Sequence, residues 1–399
     1  MNKPHDRYEI VRRAHEQAVL HAVLNSGPVS RRDIATITHL SKPVVLGLVN
    51  ELAEVGLIRQ QGQAGGRLGR SPDLYVANER AGFIVGIDLG GTKLRAAVAD
   101  LDGTVLGEVV EVTDTGGGSA VAGQIVALVR QLARGARVPI GNITAIAVGS
   151  PGVADAEGRM QLAVNVSGLS DVPLRQHVRR EFRKSVVVID NDVNIAAIGE
   201  RAEGSGVGCD DLVVLSIGTG IGAGVIVNGR LVRGHHGAAG EVAWLPMGAD
   251  PRDRDSRRRG ALEVAAAADG VQRMLREALR DHPKSTVRSR ASVVEIFAAA
   301  AAGDPASQRV IAAEAHLVAL AVISLASTLD PERIVLAGGI GSNPDLLPLV
   351  RAELAQLAPF PIVVESSKLG ERSGVVGALA LARGLARQKL FNQGDGASA

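Results

Sequence analysis

The chain has 399 residues and a formal net charge of +2; 46% of its residues are hydrophobic and 22% are charged. This balance is typical of a soluble globular protein with a large aliphatic core, and the length predicts two or three domains. The single cysteine, Cys209, excludes an intramolecular disulfide and any metal cage of several thiolates. The first thirty residues are too charged for a signal peptide, and the longest apolar run is shorter than the ~20 residues of a membrane span, so we expect a cytoplasmic protein.

The positive charge is concentrated near the N-terminus. Residues 1–80 hold 11 Lys and Arg against 8 Asp and Glu, whereas the remainder holds 33 against 34. Three short helices are predicted in this segment. The first has an apolar face made by Ala18, Val19, Ala22 and Val23 and ends at Ser26-Gly27-Pro28. The second begins after Ser30, a residue suited to cap a helix.

The third predicted helix has Ser41 as its cap and Pro43 in the first turn, where proline is tolerated. Its apolar face has Val45, Leu48, Val49 and Leu52 at helical spacing, so the second and third helices predict a helix-turn-helix. The residues facing away from that stripe, and therefore expected at DNA, are Ser41, Lys42, Val44, Leu46, Gly47 and Asn50. Lys42 suits a phosphate or guanine, Asn50 a base edge or phosphate, and Leu46 a thymine methyl.

Two extended segments follow, near residues 57–60 and 74–76, around a glycine-rich loop that contains Arg67 and Arg70. A hairpin with a basic tip directly after a helix-turn-helix is typical of a wing, whose arginines reach phosphates or the minor groove. A three-helix unit can also be a plain structural bundle. The wing and the basic charge favour DNA binding by residues 1–80.

A β-rich pattern begins near residue 81 and later returns. Its first copy has two strands around Gly90-Gly91-Thr92, and its second has the same arrangement around Gly218-Thr219-Gly220. Glycines at such turns let backbone N–H groups approach phosphate oxygens, and the Thr hydroxyl adds a donor. Because a glycine at a turn is usually structural, a single loop of this kind is weak evidence for phosphate binding, and the evidence lies in the duplication. Together with Asp88 before the first turn, it predicts the duplicated actin-like nucleotide-binding fold.

Polar residues are predicted at the end of one strand between the two copies. Residues 186–189 predict a strand and 193–203 a helix, so Asp190, Asn191 and Asp192 lie at the carboxyl end of the strand. Open α/β sheets bind ligands in that crevice. A carboxylate there can deprotonate a sugar hydroxyl for phosphoryl transfer, or simply hydrogen-bond it. The alternative is an aspartate that only caps the following helix.

Seven motifs in order resemble those of the ROK family (repressors, open reading frames, kinases), in its transcription-regulator branch. They are DLGGTK, GSPGVAD, NDVN, GTGIGAG, GHHGAAGE, RRGALE and LDPERIVLAGGI. The resemblance implies an α/β protein with a winged helix-turn-helix over residues 1–80. A two-lobed actin-like, sugar-kinase (ribonuclease H-like) domain then covers residues 81–399, with a disordered tail from about residue 388. Such proteins are usually dimeric or tetrameric.

The resemblance also implies roles for individual residues. The family's sugar contacts fall on Asn165, Asn191, Asp192, Glu241 and Glu263. Asp192 matches the catalytic base of the kinase members. The loops that hold ATP phosphates fall on Asp88, Gly90, Gly91, Thr92, Lys93, Gly218, Thr219 and Gly220, and the adenosine-side turn falls on Gly338 and Gly339.

One segment departs from the family pattern. The family has a His that touches sugar and ligates zinc with three cysteines; here Trp244 stands at the His position and Arg254, Ser256 and Ala261 at the cysteine positions. None is a soft ligand of the kind a structural zinc requires, so we expect no zinc. Trp244 either stacks on a sugar or fills the space vacated by the metal. The charged segment 250–259 either folds through salt bridges and solvent contacts or stays mobile.

Two classes of function remain open from the sequence. The first is a transcription regulator, a repressor of carbohydrate-metabolism genes, that binds an inverted-repeat operator as a homodimer or homotetramer. Its effector is a sugar or a sugar derivative such as a sugar phosphate. The regulator requires no cofactor. The second is a sugar kinase that uses ATP–Mg, with Asp192 as its base and an added N-terminal regulatory domain. The winged helix favours the first, and the lost zinc segment weakens the second.

Overall fold

The structure, a computed structural model, describes residues 4–63, 72–154, 160–161 and 168–391. Its helices are α1 Pro4–Ser26, α2 Arg31–Thr38, α3 Lys42–Glu54, α4 Gly118–Gly135, α5 Leu174–Glu181, α6 Asp192–Glu203, α7 Arg254–Arg259, α8 Ala261–Ala266, α9 Ala268–Asp281, α10 Val293–Ala301, α11 Pro305–Leu329, α12 Gly338–Gly341, α13 Leu346–Leu357 and α14 Ser373–Phe391. Its strands are β1 Val29–Ser30, β2 Ile58–Gln63, β3 Asp73–Ala77, β4 Phe83–Leu89, β5 Lys93–Asp100, β6 Val105–Val112, β7 Ile143–Ser150, β8 Val153–Ala154, β9 Met160–Gln161, β10 Val186–Asn191, β11 Leu212–Ile217, β12 Ile221–Val227, β13 Arg230–Leu231, β14 Arg333–Ala337 and β15 Val364–Ser366.

The N-terminal unit is a winged helix. Strands β2 and β3 form an antiparallel hairpin, and β1 pairs with the other edge of β3. Helix α2 begins with a capping box in which Ser30 and Asp33 satisfy each other's backbone N–H groups, and it ends at His39 in a left-handed conformation. Arg67 and Arg70, the predicted wing tip, lie outside the described residues.

Helix α3 has the two faces that the sequence predicts. Val45, Leu48, Val49 and Leu52 are buried against α1 and α2. Ser41 occupies the N-cap position, although its side chain makes no capping hydrogen bond. The opposite face is open to solvent, since Ser41, Lys42, Val44, Leu46, Gly47 and Asn50 are all exposed.

The rest of the chain forms two five-stranded sheets with one topology. The first has the order β6-β5-β4-β7-β10 and the second β13-β12-β11-β14-β15. In each sheet the first three strands form an antiparallel meander, and the last two run parallel to the first strand of that meander. The predicted repeat is therefore a duplication of whole sheets, and the two phosphate-type turns, β4–β5 and β11–β12, occupy equivalent places.

Helices α6 and α14 lie against each other at the centre of the molecule. A Cβ on Gly377 of α14 would lie 1.8 Å from the carbonyl oxygen of Ile195, and a Cβ on Gly199 of α6 would lie 2.3 Å from that of Ser373. Only glycine allows the two backbones to come this close. Helix α14 continues to Phe391, a few residues past the expected start of the tail, and residues 392–399 lie outside the described part of the chain.

The winged helix packs on the first sheet through α14. Val19 and Val23 of α1 belong to the same buried apolar cluster as Ala382 and Ala386 of α14. One described helix, α11, is long and apolar enough to cross a membrane, but 56% of its most apolar stretch is buried. It packs between α9, α10 and α13 as a core helix of the second lobe.

Candidate functional site: a cleft between the lobes and an exposed helix

A cleft of about 620 Å³ opens between the lobes, at the carboxyl ends of the parallel strands. Open α/β sheets bind ligands at this edge. Of the residues predicted to bind sugar or nucleotide, those that line the cleft are Thr92, Asn191, Asp192, Gly218, Thr219, Gly220, Glu241, Glu263, Gly338 and Gly339. The sequence analysis thus identified residues from six separate segments that the fold brings together.

Not every predicted residue lies in the lining. Asp88, Gly90, Gly91, Lys93 and Trp244 are outside it. Asp88 lies just behind the cleft, where its carboxylate takes the space of the missing side chain of Gly374, at the start of α14. Asn165 falls outside the described residues.

Asn191, rather than Asp192, is the N-cap of α6. Its side-chain oxygen accepts hydrogen bonds from the backbone N–H groups of Val193 and Asn194, at 2.9 and 3.1 Å. Its amide nitrogen donates to the carbonyl of Gly152 at 2.9 Å. Since both lone pairs of the oxygen are used, only the second N–H of Asn191 is left for a sugar.

Asp192 lies in the first turn of α6 with one oxygen directed to the backbone. Oδ1 accepts from the N–H of Val193 at 2.9 Å, and Oδ2 has no hydrogen-bond partner among the described residues. Burial raises the pKa of Asp192 above its ordinary range, against the lowering effect of its backbone hydrogen bonds. A carboxylate with a raised pKa and an open oxygen can accept a hydrogen bond from a hydroxyl, or its proton.

Neighbouring carboxylates share this desolvated environment. Burial, and then the charge of Asp192, raises the pKa of Asp88 to about 7, while Arg95 opposes the shift. Burial also raises the pKa of Glu241, with further contributions from Asp192 and Glu263. Like charges brought together away from water favour protonation, so ionisation of one of these carboxyl groups disfavours ionisation of its neighbours.

Glu263 closes one of the two glycine turns. Its Oε2 accepts from the N–H of Ile221 at 3.1 Å, directly after Gly220, and its Oε1 accepts from Arg259 at 3.1 Å. Arg259 also contacts Asp269 at 3.0 Å. One backbone donor at this turn, the N–H of Ile221, is therefore already bonded to a carboxylate of the protein.

The other glycine turn has a paired cation. Lys93 lies 3.7 Å from Glu371, which also contacts Arg95 at 3.5 Å and lines the cleft. Arg95 in turn contacts Glu108 at 3.0 Å. Only Thr92 of this turn reaches the lining.

The structure differs from the sequence interpretation at Trp244. This residue ends a short 3-10 helix, Val242–Trp244, and 45% of its surface is exposed. It neither lines the cleft nor fills a buried gap, so neither of the two predicted placements is seen. The reason lies in the backbone: Glu241 turns toward the cleft, whereas the next turn, held against Gly260, carries the indole outward.

The segment that departs from the family's zinc pattern forms helix α7 rather than a loop. Its residues do not suit a metal, because the donor set at the corresponding positions is an indole, a guanidinium, a hydroxyl and a methyl group. The hydroxyl, Ser256 Oγ, is buried and has no partner among the described residues. Arg259 instead joins α7 to α8 and α9 through Glu263 and Asp269.

The exposed face of α3 has one internal contact. The guanidinium of Arg31 in α2 donates to Asn50 Oδ1 at 3.0 Å and lies over the ring of Tyr75, 5.1 Å from its centre. Asn50 is therefore held in one orientation with its amide N–H groups outward. Lys42 and Leu46 remain open to solvent.

Comparison with known proteins identifies a matching family for each of the two parts of the chain. The model of the ROK family matches residues 84–384, three quarters of the sequence, and the model of the MarR family matches residues 15–67. The chain belongs to the ROK family. Its N-terminal unit is a MarR-type winged helix.

Other ROK proteins resemble it over most of their length. A glucokinase of Halalkalibacterium halodurans is 30% identical over 74% of this chain and 93% of its own. A xylose repressor of Caldicellulosiruptor bescii is 27% identical over 94% and 96%. A crystal structure of a ROK family transcriptional regulator, a homolog of the E. coli MLC protein, superposes with a TM-score of 0.76 at 22% identity over 96% and 99%, which shows the fold.

Several residues of this ROK protein's site were not foreseen from the sequence. Arg233 donates twice to Asp190, at 2.8 and 2.6 Å, and so ties the second sheet to the end of β10. Glu371, Val293 and Val294 line the cleft. They follow no motif, and only the folding of distant segments onto one edge brings them there.

Proposed function

We propose that this ROK protein is a transcriptional repressor whose DNA binding responds to a sugar. The observation that carries the proposal is the exposed face of α3 on a winged helix that is fused to a ligand cleft in the same chain. A ROK enzyme that only phosphorylates sugar has no need of such a face. The full-length similarity to a xylose repressor supports the same function.

The operator follows from the geometry of winged helices. A helix that lies in the major groove reads only a few base pairs, so two copies on an inverted repeat are needed for specific binding. We therefore propose a homodimer, or a dimer of dimers, acting inside the cell on genes of carbohydrate metabolism. Lys42 and the predicted wing arginines, Arg67 and Arg70, neutralise phosphates, while Asn50 donates to a base edge or phosphate.

The test is selection of DNA by the full-length protein from a random library, followed by titration of the selected site. We expect enrichment of an inverted repeat, and release of that site by one sugar of a monosaccharide panel. As matched controls, Lys42→Ala lies on the proposed DNA face and Lys284→Ala on a distant exposed turn. Random enrichment, or equal affinity of Lys42→Ala and the parent protein, contradicts the proposal.

A sugar kinase is the second candidate, favoured by one specific observation. Asp192 has an open oxygen and a raised pKa at the position expected for a general base. In this function ATP–Mg would be held by the turns at Thr92 and Gly218–Gly220, and the residues of the chain would orient the sugar hydroxyl toward Asp192. A coupled assay for ADP with a sugar panel tests it, and turnover lost in Asp192→Asn would establish it.

A further inference from the structure

Arg31, the first residue of α2, connects three elements of the winged helix. Its guanidinium donates to Asn50 Oδ1 of α3 at 3.0 Å and lies over the ring of Tyr75 in β3, 5.1 Å from the ring centre. Tyr75 is buried, and Arg31 Nε is buried with no partner among the described residues. The aromatic ring and the hydrogen bond together hold the guanidinium between α3 and the hairpin of the wing.

This contact determines which hydrogen-bonding groups Asn50 offers to a ligand. A guanidinium has donors only, so the atom of Asn50 that faces Arg31 must be the side-chain oxygen. Asn50 is exposed, and its amide nitrogen has no acceptor among the described residues. Asn50 therefore keeps both N–H donors for a ligand, while its acceptor is already bonded to the protein.

The rest of the exposed face of α3 is also poor in acceptors. Lys42 has donors only, and the hydroxyl of Ser41 can donate or accept. The exposed residues with no polar side-chain atom are Val44, Leu46 and Gly47. From Lys42 to Asn50 the face thus offers donors and apolar surface to the DNA.

The edges of the bases in the major groove distinguish a donor from an acceptor. Guanine presents two adjacent acceptors, O6 and N7, whereas adenine presents the acceptor N7 beside the donor N6. An asparagine recognises adenine through its oxygen and its nitrogen together, which requires a free oxygen. Because Oδ1 is bonded to Arg31, the amide nitrogen of Asn50 would meet the N6 group of adenine donor against donor. Guanine accepts from the same nitrogen at both of its atoms.

We infer that Arg31 is a positioning residue that makes Asn50 a reader of guanine, so that the operator has a G·C pair where Asn50 meets the major groove. Arg31 acts through Asn50, and the ring of Tyr75 holds it in place. The inference rests on the proposed repressor function and adds the identity of one base pair in each half-site.

The base preference of a variant tests the inference. DNA is selected from a random library by the full-length parent protein and by Asn50→Ala, and the position whose preference disappears in the variant is the one that Asn50 reads. We expect this position to be G·C in the parent, with an A·T pair there binding about fivefold more weakly or worse. An A·T preference, a loss of affinity in Asn50→Ala that is equal for all sequences, or no effect of the variant overturns the inference.

A second pair of variants tests the role of Arg31. Arg31→Ala frees Asn50 Oδ1, so the preference for G·C over A·T at this position should fall severalfold while the preferences at other positions remain. Arg32→Ala removes the same charge from the next, exposed residue of α2 and should leave the base preference unchanged. An unchanged preference in Arg31→Ala, or an equal change in Arg32→Ala, contradicts the positioning role.

A modified operator tests the inference with the unaltered protein, so that the result does not depend on the stability of Arg31→Ala. At the position read by Asn50, guanine is replaced by 7-deazaguanine, which lacks N7, or by 2-aminopurine paired with thymine, which lacks O6. At least one replacement should weaken binding of the parent severalfold and leave binding of Asn50→Ala unchanged. If neither does, the inference is wrong.

Failure of the inference and failure of the proposed function give different results. If the library yields no preferred sequence, the repressor function fails and the inference fails with it. If an operator is selected and the pair read by Asn50 is not G·C, only the inference fails.

Discussion

At the carboxyl end of β10 three consecutive polar residues have three different sets of partners. Asp190 is buried and accepts from Arg233, Asn191 caps α6, and Asp192 keeps one oxygen open toward the cleft. The cap made by Asn191 and the ion pair of Asp190 hold the side chain of Asp192 in place. Neither of them uses Oδ2 of Asp192. The chemically available oxygen of Asp192 is thus supported by two structural neighbours.

Trp244, in contrast to Asp192, lies near the cleft but does not line it. We expect Trp244→Ala to change the affinity for the effector by no more than about twofold, because the indole is exposed and outside the lining. Titration of the identified sugar by calorimetry measures this, with Glu241→Gln as the matched variant that should weaken binding. A large loss in Trp244→Ala would mean that the lobes close and carry the indole onto the ligand.

A single buried carboxyl should make the free energy of unfolding fall as pH rises toward neutrality. Glu314 of α11 is fully buried, and neither of its oxygens has a partner among the described residues, so burial raises its pKa well above the ordinary value. The folded state therefore holds a proton that the unfolded chain releases at lower pH, and stability from this group is full below its ordinary pKa and falls as pH rises toward the folded-state pKa.

Replacing that carboxyl tests the assignment. Glu314→Leu should raise the unfolding free energy at neutral pH by about 1–3 kcal/mol, since it removes an unsatisfied buried polar group. Denaturant unfolding curves measured from pH 5 to 8 should show that the unfolding free energy falls less with rising pH in Glu314→Gln than in the parent protein. A parallel pH dependence in parent and Gln variant would show that Glu314 is not the group.

At the scale of elements, the contact of α6 with α14 determines how the lobes join. Helix α6 carries Asp192 at its start, and Gly374, the second residue of α14, lies against Asp88. Glu200 in α6, fully buried, accepts from Ser205 and Ser367 and so ties the helix to the chain segment leading into α14. Both helices thus run from the cleft into the packed centre.

Two glycines of α14 form a matched pair for testing this contact. Gly377→Ala places a methyl group 1.8 Å from the carbonyl of Ile195, so we expect a loss of about 1–3 kcal/mol as the helices move apart. Gly384→Ala meets nothing within 4 Å and should stabilise the helix by up to about 1 kcal/mol. Thermal unfolding of both variants decides the matter, and equal melting temperatures would show that the helices separate at no cost.

The folding and stability of helix α7 should not depend on a bound metal ion. Its contacts to α8 and α9 run through Arg259, and the positions corresponding to the family's zinc ligands have no suitable donors. We expect elemental analysis of the purified protein to find no stoichiometric zinc, and the melting temperature to be unchanged by a chelator. One zinc per chain would contradict this, whereas Arg259→Ala should lower the melting temperature in either buffer.

At the scale of the whole molecule, α14 connects the two functions. Its start lies beside the cleft, and its last turns share a buried cluster with α1 of the winged helix. A ligand that shifts α14 relative to α1 can therefore change how the winged helix is presented to DNA. Such coupling requires only that the sugar bind the two arrangements with different affinity.

Asp192→Asn should separate sensing from DNA binding. The substitution keeps Oδ1, which accepts from Val193, and removes the open acceptor, so the fold and sugar-free operator binding should be unchanged. Sugar should no longer release DNA at concentrations that release the parent protein. Operator titrations with and without sugar measure both effects, and release at the parent's sugar concentration would remove Asp192 from the pocket.

Local structure and family membership follow from the amino-acid sequence alone. Helical spacing and caps predict α2 and α3, and the two glycine turns predict the repeat, because these features depend on residues close together in the chain. Motifs also identify Asp192, Glu241 and Glu263 as neighbours of one cleft. Asn191 as the cap of α6 is equally local, yet the motif assigned it to sugar.

The pairing of charges and the choice of side chains that face the cleft depend on how distant segments fold together. The bonds of Arg233 to Asp190 and of Glu371 to Lys93 join positions far apart in the chain, so no local pattern predicts them. The direction of Trp244 depends on Gly260, which holds the preceding backbone from another segment. The acidic side chains of the lining, Asp192, Glu241, Glu263 and Glu371, likewise come together only after folding, because they belong to four separate segments of a chain that is nearly neutral as a whole.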